Sequence, residues 1–204
     1  MALNFANNNS LSAITTLPAS ISGGGMTLIS EQTASASASL EFSMDSTYDS
    51  YVFKFIDINP ATDNVFFQFN GSTDSGSNYN VTKTTTTFQA QHLENDAGTE
   101  LGYVTSWDLA QSTSFQYVMG DLGNGADESG AGTLQIFNPS SSTFVKHFIA
   151  TSQHMTNNER SRNFFMAGYF NTTSPVTHLK FEMSSGNIDS GTIDSGDIKL
   201  YGIS

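Results

Sequence analysis

Residues 34–43 read ASASASLEFS. In an extended chain Ala34, Ala36, Ala38, Leu40 and Phe42 share one face, and Ser35, Ser37, Ser39 and Glu41 share the other. Alternation of period two predicts a half-buried β-strand. The same signature recurs downstream. Tyr51, Phe53 and Phe55 alternate with Val52, Lys54 and Ile56, and after the turn cluster DINPATDN (57–64) Val65, Phe67 and Phe69 point one way. The Thr-rich run VTKTTTTFQAQ (81–91) fits a strand with one wetted face. Further strands are expected at Leu101–Ser106, Phe115–Met119, Thr133–Phe137, Phe144–Thr151, Asn163–Asn171, Thr177–Met183 and Ile198–Ile203. That makes about ten to twelve short strands between turn signals. Helical periodicity is confined to two candidate turns, 92–98 and 106–112. A parallel sheet would need crossover helices. The expected fold is therefore all-β, an antiparallel β-sandwich of jelly-roll-like type.

Composition agrees. Ser, Thr, Asn and Gly make up about 42% of the 204 residues, charged residues only 13% and aromatics 12%. A disordered chain has the opposite balance. Seven basic against 19 acidic side chains give a net charge of −12. Such a chain repels phosphate backbones and lacks the basic patch that anionic lipid attracts, so neither nucleic acid nor membrane is an expected partner. With no cysteine there is no disulfide, thiolate metal site or cysteine nucleophile.

Residues 1–25 differ from the rest. They carry scattered apolar side chains (Leu3, Phe5, Leu11, Ile14, Leu17 and Ile21) and end in Gly23–Gly24–Gly25. Without a basic start or a continuous apolar block they do not read as a signal peptide. The expectation is a flexible docking arm with a glycine hinge over 1–25, followed by one β-sandwich domain over 26–204.

Catalytic and metal chemistry find little support. His92, His147, His154 and His178 form no HxH or HxxxH pair, His92 and His154 being expected near loops. The acidic loops holding Asp121, Asn124, Asp127 and Glu128, and Asp189, Asp194 and Asp197, miss the EF-hand spacing. Glu94, Asp96 and Glu100 read as a solvated stretch rather than a glycosidase pair. No GxSxG elbow or P-loop occurs. Tyr103, Trp107 and Tyr117 are candidates for an aromatic, receptor-facing platform. Arg160 and Arg162, the two arginines, are candidates for pairing with another copy's acidic surface. The stretches 120–132 and 184–197 read as long glycine-rich loops, the second with an IDSGT–IDSGD duplication. No catalytic residue, cofactor or metal is expected.

Several phrases stand out as a set: SEQTASASASLEF (30–42), DSTYDSYVFKFIDINPATDN (45–64), FQFNGSTDSGSNYNVTKTTT (67–86), WDLAQSTSFQ (107–116), GTLQIFNPSSSTFVKHF (132–148), AGYFNTTS (167–174) and FEMSSGNIDSGTI (181–193). Across roughly 27–203 the chain resembles small β-rich structural proteins of marine phages and cyanophages, of virion or tail-fibre-like type. The second IDSG unit departs from that pattern. The resemblance implies a non-enzymatic protein made in a bacterial host's cytoplasm and carried on the virion surface. Its implied partners are other virion proteins, and a trimer is the implied homo-oligomer. A capsid decoration (cement) protein, docked on the major capsid protein through the arm, is expected first. A short tail fibre or appendage, attached to tail proteins and touching a host surface glycan, is the alternative. The small size and absence of a shaft repeat favour the shell.

Overall fold

The computed structural model describes residues 25–185 and 196–204. Residues 1–24 of the expected arm (1–25) and 188–195 of the IDSGT–IDSGD duplication (188–197) lie outside the described residues. Among the described residues there is no helix, and twelve strands form two antiparallel sheets. The strands are β1 (Thr27–Thr33), β2 (Leu40–Ser43), β3 (Ser50–Ile58), β4 (Val65–Ser72), β5 (Lys83–Leu93) and β6 (Thr99–Tyr103). They continue with β7 (Gln116–Leu122), β8 (Gly130–Phe137), β9 (Lys146–Met155), β10 (Arg160–Phe170), β11 (His178–Met183) and β12 (Asp197–Ile203). One sheet runs β1-β12-β3-β8-β9-β10-β5-β6, the other β2-β11-β4-β7. The chain is a β-sandwich whose sheets have eight and four described strands.

The core follows the expected alternation. Tyr51, Phe53 and Phe55 of β3 and Val65, Phe67 and Phe69 of β4 all turn inward and are buried. Phe181 on β11 is the hub. Its ring lies 5.1 Å from Phe53, 5.3 Å from Phe55, 5.8 Å from Phe67 and 6.0 Å from Phe42. Rings from both sheets meet edge-on and stacked around it, which adds quadrupole attraction to the area each one buries.

Two expectations are corrected. ASASAS is not a strand: Ala34 is buried, but Ala36 and Ala38 are exposed, and the next strand begins only at Leu40. The stretch carries the chain from β1 in the large sheet to β2 in the small one. Ala36 breaks the extension with φ +49°, a left-handed geometry no regular strand holds. The expected loop 120–132 is shorter and spans 123–129, since β7 runs to Leu122 and β8 starts at Gly130. Its glycines answer close contacts. A Cβ on Gly120 would sit 2.5 Å from the Trp107 ring, and one on Gly132 would sit 2.6 Å from the Thr151 carbonyl oxygen. Of the two candidate turns, 92–98 holds one closed by Asp96 N–H to Leu93 O at 3.0 Å, while the turn near 106–112 lies earlier, at 104–107, closed by Trp107 N–H to Val104 O at 3.1 Å.

β5 shows what one wetted face means here. Its Lys83, Thr85, Thr87, Gln89 and Gln91 point into the sandwich and are buried, while Phe88 points out. The cause is the segment 104–115, which runs along the edge of β5 beyond β6, bridged to it at Lys83 and Ser112, and reaches its inner face at Leu109 and Val104. Irregular backbone needs hydrogen-bond partners when covered. The inward polar row supplies them: Thr85 Oγ1 accepts from Leu109 N–H at 2.8 Å, and Thr87 Oγ1 donates to Val104 O at 2.8 Å. Gln116 joins the same web, accepting from Thr85 Oγ1 at 2.6 Å and donating to Trp107 O at 3.0 Å.

Candidate functional site

Two regions hold side chains beyond those needed for a packed apolar core. The first is a buried polar cluster between β7, β9, β10 and β5. Arg162 on β10 donates from Nη1 to Asp121 Oδ2 and to Gly120 O, at 2.8 and 2.9 Å, and from Nε to Gln91 Oε1 at 3.1 Å. Its guanidinium lies 5.0 Å from the Trp107 ring centroid. Arg162 thus pairs within its own chain, which corrects its expected role as a contact to another copy. The fork geometry of arginine suits three acceptors at once.

His154 sits in the same cluster. β9 continues four residues past its expected end at Thr151, so His154 is a buried strand residue rather than one near a loop. Its Nε2 lies 2.9 Å from Gly120 O and 3.3 Å from Gly120 N–H, and Nδ1 has no hydrogen-bond partner. Burial, reinforced by the neighbouring Arg162 charge, pushes its pKa down to about 3. The ring is therefore neutral at physiological pH. Sequence spacing missed this residue, because TSQHMT (151–156) has no apolar alternation to say which face His154 takes.

A second buried cation lies at the opposite end of β5. Lys83 donates from Nζ to Asn70 Oδ1 at 2.8 Å and to Val81 O at 3.2 Å, without a carboxylate. Burial lowers its pKa to about 7. Across Phe170, Lys146 is also buried, donates to Phe144 O and Thr172 O at 2.9 and 3.1 Å, and has its pKa lowered by burial. Asn70 and Lys83 sit on different sheets, so the contact ties β4 to β5.

The second region is the outer face of the large sheet. Phe88 stacks on its cross-strand partner Phe165 with ring centroids 4.7 Å apart and planes within 10°. Around that pair Leu101 is 79% exposed, Ile149 54%, Tyr103 52% and Phe88 itself 45%. Shallow grooves flank it, one lined by Ala90, Leu101 and Asn163, another by Thr86, Ile149 and Tyr169. Exposed apolar side chains are ordinary singly, but a contiguous group marks a contact surface.

The expected platform divides between these regions. Trp107 and Tyr117 come together, with centroids 6.5 Å apart, and Phe66 joins them at 5.5 Å from Trp107 and stacked 4.3 Å from Tyr117. Trp107 is half-buried against Phe164 at 5.3 Å. Tyr103 stands apart on the large sheet's edge, donating to Asp108 Oδ2 at 2.5 Å, and no ring contact joins it to the other two among the described residues. No cluster of three or more potential metal ligands occurs among the described residues. In the 123–129 loop Glu128 Oε2 accepts from Gly125 N–H at 2.7 Å, a turn-closing bond.

No known family model matches the chain, and no curated protein or solved structure is significantly similar to it.

Proposed function

We propose that the chain is a non-enzymatic structural protein of a bacteriophage particle, displayed on the particle surface as a capsid decoration protein. The exposed apolar group around Phe88 and Phe165 carries the reading: it sits on a rigid sheet and offers area for packing against protein. The polar interior is spent on joining sheets and covering a loop, which suits a protein whose task is burial rather than turnover. The phrase-level resemblance supplies the particle. Docking through residues 1–25 on the major capsid protein belongs to the same proposal.

Cryo-electron microscopy of purified particles carrying the protein tests it. Density at symmetry-related sites over the shell is the expected result, and absence of the protein from purified particles overturns the reading.

A second reading, a short tail appendage that contacts a host glycan, draws on the partly exposed Phe66–Tyr117–Trp107 group, since aromatic faces stack on sugar rings. Density only at the tail vertex, together with glycan-array binding that Tyr117→Ala removes, would favour it over the shell.

A further inference from the structure

We infer that the outer face of the large sheet is a self-association surface, on which a second copy of this chain packs face to face about a two-fold axis. The inference rests on the reading of the protein as an assembly component and names the partner for one surface. Its ground is the distribution of charge. Across five adjacent strands, β6, β5, β10, β9 and β8, the cross-strand register fixes which side chains face outward. Not one of those outward positions is Asp, Glu, Lys or Arg. The row through the centre reads Tyr103, Phe88, Phe165, Thr151, Thr133, and the next reads Thr86, Ala167, Ile149, Gln135. Charge returns at the border, with Lys54 beside Thr133 on β3 and Asp108 beside Tyr103.

A chain with net charge −12 repels its own copies overall. An uncharged face is where two copies meet the least opposition. A basic partner would be drawn instead to the acidic remainder, so this face is suited to a like-charged molecule, and a second copy is the nearest one. An uncharged, aromatic-rich centre with a charged rim is also the anatomy of a protein interface. The area suffices. Five strands about 4.8 Å apart, with outward rows spanning about 30 Å, cover about 700 Å², close to the ~800 Å² each partner contributes to a stable interface. Because the same patch meets itself, the contact is isologous and closes at two copies, in contrast to the trimer the resemblance implies.

The test is the mass of the full-length chain in solution at tens of micromolar, by light scattering on an eluting peak. The expected mass is twice 21.9 kDa. Ile149→Glu and Leu101→Glu, both at exposed positions, should each weaken association about 30-fold or more while the chain stays folded, the melt falling only by the mass-action stabilisation that dimerisation supplied. Leu28→Glu, exposed on β1 at the far edge of the same sheet, should leave the dimer intact. A single-chain mass, a trimer mass, or a dimer that survives both face substitutions overturns the inference. None of these results bears on whether the protein is found on particles, which the microscopy decides separately.

Discussion

Arg162 on the large sheet and Asp121 on the small sheet form a 2.8 Å ion pair, and the arginine is almost wholly buried while the aspartate keeps partial contact with water. The pair is asymmetric. Removing the carboxylate strands a buried cation, and that costs more than the intact pair contributes. Asp121→Ala should lower unfolding free energy by about 3 kcal/mol in urea titrations. Asp121→Asn retains an acceptor and should cost less. Equal, negligible losses for both would show that Gly120 O, Gln91 and Trp107 satisfy the guanidinium alone.

The neutral His154 makes the fold acid-sensitive before its carboxylates titrate. Its folded pKa is pushed down to about 3, against an unfolded value of about 6.5. Between those values the unfolded chain binds the extra proton, so stability falls as pH falls, by at most about 1.4 kcal/mol per pH unit. Asp45 and Asp74, whose pKa values are lowered by hydrogen bonds from Tyr51 and Ser72 respectively, add a loss of the same sign nearer pH 4. His154→Gln should flatten the decline between pH 6.5 and 4.5 in chemical denaturation series. An undiminished slope there would place its origin in another group.

What the sequence discloses depends on whether apolar and polar positions have their ordinary sides. Tyr51–Phe53–Phe55 and Val65–Phe67–Phe69 could be read because large apolar side chains alternate and do turn inward. ASASAS could not, because alanine and serine differ too little in burial energy to hold a strand against the geometry needed to change sheets. On β5 alternation is real but its usual meaning is reversed, as the inward row faces loop backbone and must be polar. The apolar outer face built from Phe88, Phe165, Leu101 and Ile149 is consequently invisible in any one segment. It arises only when register sets four distant strands side by side. The Arg162 cluster is hidden for the same reason: its members are separated by 71 residues from Gln91 and 41 from Asp121.

Trp107 and Gly120 fit each other as lock and recess. With a Cβ on residue 120 only 2.5 Å from the indole, Gly120→Ala must displace Trp107 or spread β7. Overpacking of this kind costs about 1–3 kcal/mol. Trp107→Ala removes the ring that packs on Phe164 and shields Arg162, and should cost about 3–5 kcal/mol. In the double variant the alanine at 120 occupies vacated space, so its own penalty should vanish. Additive losses in the thermal and urea data would mean that the strain at Gly120 comes from elsewhere.

Lys83 gives a pH response of the same sign as His154, in the alkaline range. Its folded pKa is lowered by burial to about 7, while an unfolded lysine titrates near 10.4. Between the two the unfolded chain holds more protons, so stability rises with pH through this window and is flat below it. Lys146, also lowered by burial, contributes with the same sign. Above about pH 10 the effect is opposed. Tyr51 is raised to about 12 by burial and its bond to Asp45, so the unfolded chain ionises first. The informative range is thus pH 7 to 9.5. There the wild type should gain stability with a slope of at most about 1.4 kcal/mol per pH unit from Lys83. Lys83→Met keeps the side chain's length and apolar stem, and Asn70 Oδ1 still accepts from Gly71 N–H at 2.8 Å. The variant should therefore be more stable than the wild type at pH 6, where the lysine must be charged in the unfolded chain and is penalised in the folded one. The advantage should shrink steadily as pH approaches 9.5, and any slope left in the variant measures Lys146. A Lys83→Met protein that is less stable at pH 6 would mean that the bonds to Asn70 and Val81 and the Phe170 ring, 5.8 Å away, outweigh the cost of burying the charge.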